Sequence, residues 1–146
     1  MKRSKRILQL KTLVDQDAER EAIKLAKMQT QLLGEKDKIT QLVSFKDDYL
    51  HRSTPVGGRV FPAALQDVEK FAKQLTFSIG QQEKYITVLA QHIEAQREIW
   101  HKLNNKVKAY ERWIEKIRIE EQVIEMRNEQ KMLDEFVINQ RNKSES

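Results

Sequence analysis

Apolar residues recur every seven positions along two stretches of this chain, and each stretch predicts a long amphipathic helix. In the first, one set of seam positions is Lys11, Ala18, Leu25, Leu32, Ile39 and Lys46. The other is Ile7, Val14, Glu21, Met28, Glu35, Leu42 and Tyr49, and nine of these thirteen are apolar. In the second stretch the sets are Leu65, Ala72, Ile79, Ile86, Ile93, Trp100, Val107, Ile114 and Glu121, then Val68, Leu75, Gln82, Leu89, Gln96, Leu103, Tyr110, Ile117 and Ile124. Fifteen of these eighteen are apolar. A heptad sustained this long keeps one stripe facing a partner helix, which is the signature of a coiled coil.

Turn chemistry is concentrated between the two stretches, where Pro55, Gly57, Gly58 and Pro62 include both prolines of the chain. Proline removes a backbone donor and glycine permits positive φ, so this segment reads as a turn. The expected organisation is a single all-α domain: a helix over about 4–52, a turn over about 53–61, a helix over about 62–139 and a short tail. A short turn between two heptad helices favours an antiparallel coiled-coil hairpin. Pairing Tyr49 with Leu65, Ile39 with Leu75, Leu25 with Leu89, Val14 with Trp100 and Ile7 with Val107 holds one register folded about Gly57. In that register Gln82 faces Leu32 and Gln96 faces Ala18. Pairing runs out near Glu111, so the second helix is the longer one and overhangs.

Two regions stand out on this frame. Near the turn, Phe45 and Phe71 flank the seam side by side and join Tyr49, Leu42 and Leu75 in an aromatic patch, with Phe77 near its rim. Such a patch either marks a protein contact or widens a thin coiled-coil core. In the overhang, Trp113, Ile117, Ile124, Met132 and Phe136 have no partner in the expected register. A helix end carrying unpaired apolar residues is a docking element, an oligomer interface or a frayed tail.

Composition narrows the chemistry. Charged residues are 34% of the chain against 39% hydrophobic, which suits long solvated helices better than a globule with deep pockets. The absence of cysteine excludes disulfides, thiolate zinc sites and a cysteine nucleophile. His92 and His101 lie nine residues apart, whereas a chelating pair on a helix needs three or four. No glycine-rich loop precedes a Lys-Ser or Lys-Thr pair, so no phosphate cradle is expected. A non-enzyme without cofactor, metal or small-molecule substrate follows. The basic start (Lys2, Arg3, Lys5, Arg6) lacks the uninterrupted apolar run of a signal peptide, and no stretch is apolar enough to span a membrane, so a cytoplasmic protein is expected. The net charge of +5 is spread over interspersed charges of both signs. Basic residues between 97 and 118 interleave with Trp100, Tyr110 and Trp113, which keeps a nucleic-acid-binding or scaffolding coiled coil as the alternative reading. Trp100 and Tyr110 are seam positions, however, and no nucleic acid is the expectation.

The opening residues Leu10, Leu13, Glu19, Ala22, Leu25, Ala26 and Met28 resemble the FliJ family. So do Leu42, Phe45, Asp48 and Tyr49 before the turn, Phe71, Leu75, Ile79 and Gln82 after it, and the closing run Glu129 to Phe136 with Arg141. The resemblance covers nearly the whole chain. It implies a non-catalytic stalk and adaptor of flagellar protein export, of the type III secretion kind, located in the cytoplasm and peripherally at the inner membrane of the flagellar base. The implied partners are the hexameric flagellar export ATPase, the cytoplasmic region of the membrane export gate, and export chaperones. The resemblance maps gate contact onto Leu42, Phe45, Tyr49, Phe71 and Leu75. The basic start, together with the overhang residues Trp113, Ile117, Ile124, Met132 and Phe136, is the segment expected to enter the ATPase ring.

Overall fold

The computed structural model describes residues 2–53 and 62–145. They form two helices, α1 (Arg3–Arg52) and α2 (Pro62–Glu145), with no strand among the described residues. The fold is the expected all-α antiparallel coiled-coil hairpin with α2 the longer helix. Residues 54–61 of the expected turn lie outside the described residues. Proline is favoured at a first helical position, since its missing N–H would have no partner there. α2 runs on to Glu145, past the expected end near 139.

The heptad reading of α1 holds at every position: all thirteen seam residues are buried or half-buried. In α2 the seam positions are likewise covered except Leu65 and Ile124, one at each end. Contacts divide the hairpin into two compact units.

The unit spanning residues 20–100 carries a thin core that includes Leu75, Leu89 and Ile93. Four of its polar seam residues are matched across the helices. The Gln82 amide donates to the Glu35 carbonyl at 3.1 Å and also to the Glu35 carboxylate. The Gln96 amide donates to the Glu21 carbonyl at 3.3 Å and to the Glu21 carboxylate. These partners lie three residues further along α1 than Leu32 and Ala18, which the sequence reading placed opposite.

The unit built from residues 1–19 and 101–146 shows a larger departure. Ile7 packs with Ile114 and Ile117, and Tyr110 covers the cluster. Lys11 reaches Glu111 at 3.7 Å, and Ser4 bonds Glu121. Pairing here is displaced by about one heptad from the expected Ile7–Val107 layer. The physical reason is degeneracy. A seven-residue slide returns apolar residues to apolar residues, so seam hydrophobicity alone does not choose between the two registers. The polar partners do choose: the displaced register buries Ile114 and Ile117 and gives Ser4 its acceptor.

Candidate functional site

At the aromatic patch, α2 supplies Phe71 and α1 supplies Phe45 and Tyr49. The Phe71 ring meets Tyr49 at 4.6 Å between centroids, tilted by 60°, and Phe45 edge-on at 6.2 Å. These three are brought together as expected. Leu42 is half-buried and Leu75 is buried, so Leu75 supports the patch from the core side. Phe45 is 53% exposed, which makes it the one of these three rings most available to a partner. A shallow groove beside it is lined by Lys38, Gln41, Leu42 and Gln82. Lys38 pairs with Glu35 at 3.2 Å, and the Gln82 hydrogen bond holds the Glu35 carboxyl below the usual range. This polar wall was not read from the sequence; its signal was the polar Gln82 and Glu35 at two seam positions on opposite helices. Phe77 is exposed over a separate groove with Lys70, Lys73, Gln74 and Ser78.

The second site is where α1 begins. The first turn of α1 contains no acidic residue of its own. Glu121 of α2 supplies one instead, accepting the Ser4 backbone N–H at 3.2 Å and the Ser4 hydroxyl at 2.8 Å. The first N–H groups of a helix lack partners within it, and the positive end of its dipole favours a carboxylate. The Ser4 hydroxyl bond is the leading cause that lowers the Glu121 pKa from its ordinary value. Lys2 pairs with Glu125 at 2.8 Å, and that bond raises the Lys2 pKa. Arg3, Lys5 and Arg6 are exposed around this pairing.

The ring-contact residues expected from the sequence divide here. Ile117 is only 3% exposed, so it is a core residue and not part of an overhang. This is a correction, and it follows from the displaced register. Trp113 is partly exposed and stacks on Tyr110 at 6.2 Å. Ile124, Met132 and Phe136 are exposed, as are all described residues from Gln122 to Glu145. Among the described residues, Lys2 still bonds Glu125, and α2 is exposed from Gln122 onward, so the overhang begins there and not near Glu111. Among the described residues, no group of acidic and histidine side chains is placed to hold a metal ion, and no helix is long and apolar enough to cross a membrane.

The hairpin and the aromatic patch were expected from the heptads, and the α2 end is uncovered from Gln122 to Glu145. A family profile described as the Flagellar FliJ protein matches residues 3–146. The chain belongs to the FliJ family. No curated protein and no solved structure matches it. As a FliJ-family protein it is a component of the flagellar export apparatus. The matched residues include the patch and the whole α2 overhang.

Proposed function

We propose that this FliJ-family chain is a non-catalytic stalk and adaptor. Its free α2 end enters the hexameric export ATPase, and its aromatic patch contacts the cytoplasmic region of the export gate. It escorts export chaperones between the two and works at the cytoplasmic side of the inner membrane at the flagellar base. The observation that carries this reading is the α2 end. From Gln122 to Glu145 every described residue is exposed, and Ile124, Met132 and Phe136 are among them. Burial of a large apolar side chain is worth about 1.5–3 kcal/mol, so a run of them left in water favours a partner. Ring contact is assigned to Lys2, Arg3, Lys5, Arg6, Trp113, Ile124, Met132 and Phe136, with Ile117 supporting them from the core. Gate contact is assigned to Phe45, Tyr49 and Phe71, with Leu42 and Leu75 beneath.

The test uses the purified hexameric export ATPase. The full chain should stimulate ATP hydrolysis, and a chain ending at Glu125 should not, while still melting as a folded hairpin. Normal stimulation by the shortened chain would assign the overhang to something else. A gel shift with duplex DNA, run alongside, should show no complex.

A further inference from the structure

Beyond Ile117 the seam of α2 thins on the side that faced α1: of Glu121, Ile124, Asn128, Lys131, Glu135 and Ile138, only the two isoleucines are apolar. A second heptad begins at Ile119 and continues through Val123, Met126, Gln130, Leu133 and Val137. Five of these six are apolar, and every one is exposed. At about 100° per residue, this stripe lies roughly 160° around the helix from Ile114, Ile117 and Glu121. It is therefore not the old seam continued. Ile124, Met132 and Phe136, assigned above to the ATPase ring, lie off it.

We propose that this stripe is the interface for a second copy of the same chain, packed antiparallel along the α2 overhang. The charges beside the stripe choose both the partner and its direction. The positions that follow Ile119, Met126, Leu133 and Gln140 are Glu120, Arg127, Asp134 and Arg141, which alternate in sign and are all exposed. In an antiparallel pair these positions flank one another across the interface. Setting Met126 against Val137 of the second copy, and Gln130 against its Leu133, brings Glu120 beside Arg141 and Arg127 beside Asp134. Symmetry repeats both contacts, so four complementary pairs form with no like-charge clash among these positions. A parallel pair would instead place Glu129 beside Asp134 of the second copy, twice. Asp134 already accepts from Gln130 at 3.2 Å within its own helix, and its second oxygen serves the arginine. Gln130 and, in the same register, Gln140 opposite Val123 are polar members of the stripe, and polar seam members fix register at some loss of stability.

The test is the molar mass of the full chain by sedimentation equilibrium across the micromolar range. A concentration-dependent dimer is expected. Asp134→Arg should weaken it on the order of tenfold, because two attractive pairs become repulsive. Adding Arg127→Asp to that variant should restore the dimer, since the swap recreates both pairs. The chain has no cysteine, so direction can be read by disulfide trapping. An equal mixture of Met126→Cys and Val137→Cys chains should cross-link between the two kinds of chain. Cross-links only within each kind would overturn the antiparallel arrangement. A monomer throughout, or a dimer indifferent to both charge changes, would overturn the proposal. So would binding of the ATPase ring through this stripe in place of a second copy. Circular dichroism on each variant checks that the hairpin remains folded.

Discussion

Glu121 caps a helix to which it does not belong. Its carboxylate answers the Ser4 N–H and hydroxyl at the start of α1, and the Ser4 bond lowers its pKa. The folded state therefore binds that proton more weakly than the unfolded chain does. The stabilisation is fully present above the unfolded glutamate value, about 4.3, and is lost as pH falls through the lowered folded value. Glu35, lowered mainly by the Gln82 bond, acts in the same direction. Melting temperature should therefore decline on the acid side of the ordinary glutamate range. Glu121→Gln should lower it at neutral pH and flatten the acid decline, which thermal melts by circular dichroism across pH will check. Ile117 makes the complementary case for packing. It is 3% exposed against Ile7, and Ile117→Ala should cost about 2–4 kcal/mol in urea denaturation. If it lay on an open overhang, as the sequence register implied, the same change would be nearly silent. Phe45 should behave in the opposite way: at 53% exposure, Phe45→Ala should leave melting close to wild type and weaken gate binding.

At the scale of the helices, Gly34 and Gly80 are interior positions where a Cβ would meet nothing within 4 Å. Glycine in a helix interior is less favourable than alanine by about 1 kcal/mol. Gly34→Ala and Gly80→Ala should each stabilise the hairpin by roughly that amount, read from denaturant midpoints. The two glutamine layers behave differently. Gln82→Leu alone removes the donor to Glu35 and should lower the melting temperature. The double change with Glu35→Leu should recover or exceed the original stability, because an apolar pair replaces a polar one. The helices, their faces and their antiparallel pairing were legible from the heptads, since periodicity reports which residues are covered. The aromatic patch was legible for the same reason: Phe45 and Phe71 flank the seam from opposite helices. The register near the start of α1 was not. A slide of one heptad exchanges Val107 for Ile114 opposite Ile7, and both are apolar, so counting apolar matches is blind to it. What separates the two registers is a serine hydroxyl with an acceptor, and a polar residue at the seam position of Ser4 adds nothing to an apolar count.

For the whole molecule, the patch lies in the unit of residues 20–100 and the free α2 end lies in the other. The two proposed activities should therefore separate. Phe71→Ala should reduce gate binding and leave ATPase stimulation unchanged. Loss of residues beyond Glu125 should do the reverse, and the combined variant should show both defects without extra coupling. A hairpin of this kind also has an order in which it can be completed. Ser4 and Glu121 are separated by 117 positions, so the capped end of α1 leaves the ribosome long before its cap has been synthesised. Until then the first turn of α1 has neither its acceptor nor the isoleucines that cover Ile7. Contacts near the chain reversal close shorter loops and form at lower entropic cost, so pairing advances from there toward Ser4. Pairing thus seals last at the start of α1, after Glu121 has been synthesised.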